Sequence, residues 1–590
     1  MGRADPAVGS WQAGAVPVPH AAFDFALDPR NRTARLRGAF LTAPVAVLRT
    51  ADLAQAPSVV AAAEAAARAG NWVVGGLSYE AGGAWEPSQH TRATASDLAR
   101  FEVFAGEPKE WPHAAAPDDP AWFPSGRFGE RRPASAIEAV QAHIAAGDCY
   151  QVNLTSRFRT RVPVEFDLYG WFRTLAARQP GGYAVFLRGA GVASVSPELF
   201  FHAHPDGRLV TQPMKGTAEA GAPPERLREN PKDRAENLMI VDLLRNDLGR
   251  VCRPGTVRVE ALFELLELPT VWQLVSTVSG ERRPEAGLAE VFGALFPCGS
   301  VTGAPKIRAM QLIAELEGRP RGWYCGALGV IRPGGEAIFN VPIRTVEQRG
   351  DLLECGVGSG IVADSDPPAE LAEWRAKARF LGGEPFAALE TLLLVDGDYP
   401  RLNGHLSRLA RADAALGLGI ELEEVSRLLD RVRENLEGQS GDLRLRLIAR
   451  AGEARITTTP VGDFPVPIPL ALAAEPLDVD ALRPVIVHKT TWRSHYDGLR
   501  AQRPEGAFDV ICHSGGLITE ATLGNLAFHL DGRWVTPPAS LGLLPGVERE
   551  ARLADGTLVE AQVRVDDLPR ASEFAFLNAV RGWVPAVLVG

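Results

Sequence analysis

Cysteine is scarce: six in 590 residues (Cys149, Cys252, Cys298, Cys325, Cys355 and Cys512), none in C-x-x-C spacing. That excludes a disulfide scaffold and reads as reduced, mostly buried thiols of a cytoplasmic protein. No apolar run reaches membrane-spanning length. Residues 1–19 lack a basic start followed by an apolar run, so no signal peptide is expected. No basic tract stands out against a net charge of −10, which speaks against a nucleic-acid binder. Anionic substrates stay open, because local cations or a metal can hold them. There is no internal repeat, no low-complexity tract and no P-loop. What is present, 46% apolar and 23% charged residues, is the composition of a soluble globular protein. Its length exceeds what one core can serve, so two to four domains are expected.

Residues 1–56 alternate short apolar runs with Pro, Gly and Asp, predicting strands and turns. An alanine-rich helix over 61–69 should stop at Gly70, and 72–80 reads as a strand entering a turn. The proline-rich stretch 106–134 reads as a loop or covering segment. A helix is predicted over 135–146, with Ser135 and Glu138 as its capping box. The strand that follows, over 149–155, puts Gln151 and Asn153 on one face. A helix at 168–178 and a strand at 183–187 lead to Ser196-Pro197-Glu198.

The stretch Pro213-Met214-Lys215-Gly216-Thr217 is an odd one for packing. Lysine heads normally snorkel to water, and glycine beside a reactive side chain lets something approach the backbone closely. An amine held in a pocket can lose its proton and act as a nucleophile; by themselves these five residues read equally well as a surface lysine in a strand–turn. Residues 236–248 are apolar around most of a helical circumference and predict a buried helix. Glu236 at its start is either a cap-region charge or a metal ligand. Glu370, Glu373 and Lys377 share a helix face, as a solvated ion-pair stripe or as part of an oxygen-only site suited to Mg²⁺. Between these helices lies a Gly/Ser/Thr loop over 296–306, with Lys306 opening the next helix. The glycine run 356–362 reads as a turn whose closely spaced N–H groups can hold a carboxylate.

Together these segments resemble the chorismate-utilising enzymes, which include anthranilate synthase large subunits, aminodeoxychorismate synthase component I and isochorismate synthases. The resemblance covers residues 70–381 and is most specific over 236–251, 296–310 and 356–377. It implies an α+β, anthranilate-synthase-like two-sheet sandwich as a first domain, 1–381, enclosing a chorismate site. There, Mg²⁺ would be held by Glu236 and Glu373, and Glu198 would be the general acid/base. Tyr324, Arg344 and the backbone of Gly358, Ser359 and Gly360 would hold the enolpyruvyl carboxylate, with Gln151, Gly216, Thr217 and Lys377 also lining the substrate. Gln151 stands where isochorismate synthases place a water-activating lysine. Lys215 stands where anthranilate synthases carry alanine and aminodeoxychorismate synthases carry lysine. The resemblance thus implies amination of chorismate at C4, with Lys215 adding to ring C2 as the C4 hydroxyl leaves and ammonia then expelling the lysine. No cysteine sits in a Gly-x-Cys-x-Gly elbow, so a separate glutamine amidotransferase subunit is the implied ammonia source.

The breaker cluster 381–385 marks a boundary. Beyond it, 389–393 begins a strand, 405–409 lies on a helix ending near 417–419, and 444–450 alternates as a strand. His488-Lys489-Thr490-Thr491 stands between an apolar strand and a basic, polar segment, and 542–549 opens a helix. This half resembles the fold-type-IV pyridoxal-phosphate enzymes, a group that includes aminodeoxychorismate lyase, branched-chain aminotransferases and D-amino-acid aminotransferase. That implies a smaller α/β domain over 386–590. Lys489 would be the cofactor lysine, Glu520 the partner of the pyridine nitrogen, and Asn525 a further cofactor contact. Arg408 and the backbone of Val547 and Glu548 would hold the phosphate, for which a helix N-terminus after Gly546 is suited. The linker leaves little room for the hairpin these enzymes carry first, so the site would borrow from the other half or from a second chain in a homodimer. The pairing implies a bifunctional enzyme of 4-aminobenzoate synthesis. The alternatives are an anthranilate or isochorismate synthase joined to an aminotransferase or to a cofactor-free dimerisation module.

Overall fold

The computed structural model describes residues 17–94, 96–114, 116–117, 119–120, 122–124, 133–219, 223–267, 271–382, 387–416, 418–436, 441–450, 453–477, 479, 486–491 and 493–589. The chain divides into two compact units, Met1–Gly383 and Glu384–Gly590. Of the predicted boundary cluster, residues 383–385 lie outside the described residues.

The first unit is built on two antiparallel sheets. Among the described residues, one is nine-stranded, running Gly303–Ala304, Gln151–Arg161, Leu352–Ile361, Thr345–Arg349, Val192–Ser196, Tyr183–Leu187, Ala21–Ala26, Arg35–Phe40, with Phe123–Pro124 also on Gln151–Arg161. The other is ten-stranded: Met214–Glu219, Val271–Glu281, Arg208–Gln212, Leu199–Ala203, Ala337–Asn340, Ala327–Ile331, Trp72–Leu77, Ala99–Phe104, Ala46–Thr50, with Arg258–Glu267 on Val271–Glu281. Alternating apolar residues of both close on one core. Phe23 and Phe25 from the first meet Trp72, Val74 and Leu328 from the second. The Phe40 and Phe104 rings stack at 4.3 Å between centroids, and Phe23 faces Trp72 at 5.9 Å.

One buried guanidinium fastens several segments of this unit. Arg321 donates to the Val301 and Asn153 carbonyls, each at 2.7 Å, and to Glu317 Oε2 at 2.9 Å. The Arg321 and Gly322 amides donate in turn to the Glu80 carboxylate at 2.6 and 3.0 Å.

Several expectations shift. The alanine-rich helix starts earlier, Ala56–Arg68, and Gly70 follows it at φ +96°. The helix expected at 135 is Pro133–Ala145, so Ser135 lies within it and not ahead of it as the N-cap; proline's fixed φ suits the first helical turn. The helix Pro231–Gly249 is buried along one face only, through Asn237, Ile240, Val241, Leu244, Asp247 and Leu248. Leu238 on its other side is 44% exposed, which corrects the all-round burial expected from its apolar content. The glycine run is no turn: it lies in the strand Leu352–Ile361, paired from Gly356 to Ile361 with Arg157 to Val152. Its glycines answer to crowding, because a Cβ at Gly356 would lie 2.3 Å from the Tyr324 ring and one at Gly358 would lie 2.4 Å from the Leu154 carbonyl oxygen. Much of 106–134 lies outside the described residues, though Phe123–Pro124 is a short strand.

The second unit holds a three-stranded antiparallel sheet, Ala388–Leu394, Leu443–Arg450, Glu453–Pro460. The helix Leu402–Leu416 packs on it through its buried face. A mixed eight-stranded sheet runs Leu517–Ala521, Asp509–Ser514, Ile468–Leu472, Gly582–Leu588, Glu573–Asn578, Asn525–Leu530, Arg533–Thr536, Val559–Glu560. Its central strand, Ile468–Leu472, is parallel to both neighbours. Of the residues preceding His488, 480–485 lie outside the described residues. All six cysteines are buried and free. Among the described residues, no helix is long and apolar enough to cross a membrane.

Candidate active site

In the first unit, the strand Met214–Glu219 bends at Gly216, whose φ of +88° and 3.0 Å approach to Asp233 favour glycine. The bend carries Lys215 towards the strand Leu352–Ile361. Lys215 Nζ lies 3.2 Å from where a Cβ on Gly360 would stand, and Gln151 Nε2 only 1.8 Å from that point. Burial holds the Lys215 ammonium below its ordinary range; Glu236, Glu198 and Glu373 oppose the shift and Lys377 reinforces it.

Glu198 is buried, and burial pushes its carboxyl up to about 7 against Ser300, Lys215, the Met214 backbone and Lys377. Its Oε1 has no hydrogen-bond partner. The Ser196 hydroxyl accepts the Glu198 amide at 3.1 Å and donates to the Val341 carbonyl at 2.5 Å, which fixes the turn carrying the acid. Glu236 on helix Pro231–Gly249 is raised by burial, opposed by Lys215 and Lys232. Glu373 on helix Pro367–Ala378 pairs with Lys377 at 2.6 Å. Burial would raise it, but Lys377, Lys215 and Lys232 together leave it lowered. Lys377 Nζ also donates to the Gly358 carbonyl at 2.8 Å.

Gln151, Gly360, Glu198, Glu236, Glu373 and Lys377 therefore gather around Lys215. Tyr324 is buried against Gly356, under Arg157 at 5.2 Å. Arg344 stands at φ +51°, donates to Gln179 Oε1, and is drawn down to about 10 by burial. The Ser359 hydroxyl is occupied by Glu370 and by Trp374 Nε1, the latter at 2.7 Å, so its side chain braces the helix. The Thr217 side chain lies outside the described residues; its backbone pairs with Gln273.

In the second unit a cavity of about 560 Å³ is lined by Lys489, Glu520, Arg408, Asn525, Gly546 and Val547 among others. Lys489 Nζ donates to Thr391 Oγ at 3.0 Å, and burial with Arg408 nearby lowers it to about 7. Arg408 is gripped by Glu390 through Nε at 2.8 Å and a terminal nitrogen at 2.6 Å, with its other nitrogen 3.4 Å from the Pro545 carbonyl. Glu390 also bonds His405 Nδ1 at 2.7 Å; burial works against its charge, but Arg408 and His405 hold it well below the carboxylate range. Glu520 accepts from Tyr496 Oη at 2.6 Å and from the Leu544 amide at 3.0 Å, and burial raises it to about 7. A Cβ at Gly546 would fall 2.0 Å from Asn525 Oδ1. The Glu548 side chain pairs instead with Arg401 at 2.7 Å and Arg552 at 2.8 Å, which leaves only its backbone for a ligand.

Residues 125–382 match the chorismate binding enzyme family, and residues 387–589 match the amino-transferases of class IV. The first match falls within the first compact unit and the second within the other. Aminodeoxychorismate synthase component 1 of Klebsiella aerogenes is 43% identical over 255 residues, 42% of this chain and 55% of that protein. Aminodeoxychorismate synthase of Streptomyces pristinaespiralis is 40% identical over 322 residues, 51% of this chain and 44% of that protein. The chain spans about half the length of these relatives. Anthranilate synthase component I from Streptococcus pneumoniae aligns at a TM-score of 0.49 with 21% identity, over 65% of this chain and 95% of that one.

The first unit offers two carboxylates, Glu236 and Glu373, within electrostatic reach of one lysine. Oxygen-only donors from two helices fit a hard divalent cation whose remaining ligands are water and substrate. The second unit fits pyridoxal 5′-phosphate: its cavity reaches Gly546 and Val547 at a helix N-terminus, which suits a phosphate, and the cavity holds a lysine and a buried carboxylate. Reading the sequence passed over Ser300, Thr391, Glu390 and Tyr496. Only Glu390 left a signal there, as a lone charge in the apolar run Ala388–Leu394.

Proposed function

We propose that this chain converts chorismate and ammonia to 4-amino-4-deoxychorismate in its first unit and releases pyruvate from that product to give 4-aminobenzoate in its second. The observation that carries the reading is Lys215: an amine depressed by burial, beside a carboxyl raised to about 7 at Glu198. The first is a nucleophile and the second an acid near neutral pH.

Lys215 Nζ attacks ring C2, both ring double bonds shift, and the C4–O bond breaks, Glu198 giving its proton so that water leaves. Ammonia then adds at C4, the double bonds shift back, and the C2–N bond to Lys215 breaks. Gln151, a neutral amide beside the lysine, supplies no base to activate water, which disfavours hydroxylation at the ring. Glu236 and Glu373 would hold Mg²⁺, which when bound neutralises the ring carboxylate and draws electrons from the ring.

In the second unit Lys489 would bond pyridoxal 5′-phosphate, with Glu520 towards its ring nitrogen and Arg408 and the 546–548 backbone at its phosphate. Bound there, the cofactor supplies an electron sink. Lys489, at about 7, moves the proton from C4; the C3–O bond then breaks and the leaving enol gains a proton as pyruvate. Tyr496 and the Leu544 amide keep Glu520 oriented. A separate glutamine amidotransferase would supply ammonia, as the name "component 1" of the relative suggests, and the cytoplasm is the expected compartment.

The test is Lys215→Ala with chorismate, Mg²⁺ and ammonium. Formation of 4-amino-4-deoxychorismate should fall by about 100-fold or more, with no rescue by added ammonium. Intact mass of the unmodified protein given chorismate without ammonia should show an adduct that the variant lacks. Product at the unmodified rate would refute covalent capture.

A further inference from the structure

Outside both sites, the first unit places two histidines and a glutamate together. His202 and His204 sit two residues apart, on the same side of the chain as it leaves the strand Leu199–Ala203. That strand pairs antiparallel with Ala337–Asn340, His202 opposite Ile338 and Ala203 opposite Ala337. One step further, the register sets Glu336 beside His204.

His202 Nε2 lies 2.9 Å from Glu336 Oε1, and the two imidazoles stack with centroids 3.6 Å apart. One candidate ligand atom from each of the three residues lies within 4.8 Å of the others. Glu336 is held from behind by Arg332 at 2.5 Å. His202 is 1% exposed, and its Nδ1 is buried with no hydrogen-bond partner.

We infer that His202, His204 and Glu336 bind one divalent cation of the zinc class. Two imidazoles and a carboxylate are the donors zinc prefers, whereas Mg²⁺ and Ca²⁺ favour oxygen alone. Zinc bonds of about 2.0–2.2 Å set tetrahedral ligand atoms roughly 3.3 Å apart, so the His202–Glu336 pair already has nearly the right bite. His204, half-buried just past the strand end, closes the site by swinging its ring out of the stack, since an ion shared by both rings must lie near both ring planes. Arg332 then acts as the outer group that orients the ligating carboxylate. The fourth position is left to water. The ion ties the strand that follows Glu198 to the hairpin between Ala327–Ile331 and Ala337–Asn340, so its effect is on rigidity and not on the ring chemistry.

The test uses the full chain, stripped with a chelator and titrated with ZnCl₂ in Mg²⁺-containing buffer, binding being read by calorimetry and by metal retained after desalting. The unmodified protein should hold one more equivalent of zinc than His204→Ala or Glu336→Gln, with binding weakened about tenfold or more in each. Co²⁺ in place of zinc should give a visible tetrahedral d–d band that both variants lose. Circular dichroism and ammonia-dependent chorismate turnover of His204→Ala should match the unmodified protein, which separates loss of a ligand from loss of the fold. Equal zinc content and affinity in all three proteins, or no zinc retained by the unmodified one, overturns the site.

Discussion

Gly360→Ala adds one methyl group at a crowded point of the first unit. The new Cβ would stand 1.8 Å from Gln151 Nε2, where ordinary contact begins at 3.4 Å. The Gln151 backbone cannot retreat, because it pairs with Ala304 on one side and its carbonyl oxygen lies 2.2 Å from where a Cβ on Gly303 would be. The Gln151 side chain must therefore turn, in a site where Lys215 Nζ already stands 3.2 Å from the same Cβ. Overpacking of this kind costs about 1–3 kcal/mol of stability, whereas displacing a reacting atom by about 1 Å costs roughly 100-fold in rate. The expected outcome is a modest fall in melting temperature and a fall in kcat/KM for amination of about 100-fold. The assay follows chorismate loss with ammonium, the product being identified by mass. Gly249→Ala serves as the control, since a Cβ there meets nothing within 4 Å. Amination by folded Gly360→Ala as fast as by Gly249→Ala would show that Lys215 and Gln151 do not work from this position.

Glu236→Gln and Glu373→Gln should each lower amination by about 100-fold or more and raise the Mg²⁺ concentration needed; unchanged turnover at limiting Mg²⁺ would remove the metal assignment. Lys489→Ala should accumulate 4-amino-4-deoxychorismate and lose the visible band of bound cofactor, while chorismate is consumed as before; undiminished 4-aminobenzoate would contradict the second step. Glu198 must carry its proton to assist the leaving hydroxyl, so at a fixed concentration of free ammonia amination should decline above about pH 7, where that proton is lost; under that condition a rate flat from pH 6 to pH 9 speaks against this acid.

Local patterns carried well wherever the signal was short-range. The helix Leu168–Arg178 and the strand Tyr183–Leu187 coincide with their expected bounds because Asp167 caps the one and five successive buried residues form the other. Patterns failed where distant chain decides. The glycines from Gly356 to Gly360 look like a turn, yet they are small because Tyr324, Leu154 and Gln151 press on a strand from elsewhere in the chain. Likewise the apolar content of 236–248 overstated its burial, since composition does not say which face finds a partner. Lys215 stood out in sequence through its odd neighbours. Its meeting with Gly360 brings together strands of two different sheets, which no periodicity records. The Glu390 clamp on Arg408 escaped because it joins a strand to the helix packed on it, and the two periodicities do not say which faces meet.

The stretch recognisable as a chorismate binding enzyme begins at residue 125, but the physical unit does not. An excised fragment starting there would strip Trp72–Leu77 from Ala327–Ile331 and Ala21–Ala26 from Tyr183–Leu187, turning two fully buried strands into raw edges. Such edges invite pairing with other chains. It would also discard Glu80, orphaning the two amides at Arg321 and Gly322 beside an already buried guanidinium. Inherited resemblance and mechanical integrity thus have different borders here, and anyone trimming this protein to its recognisable segment should expect inclusion bodies.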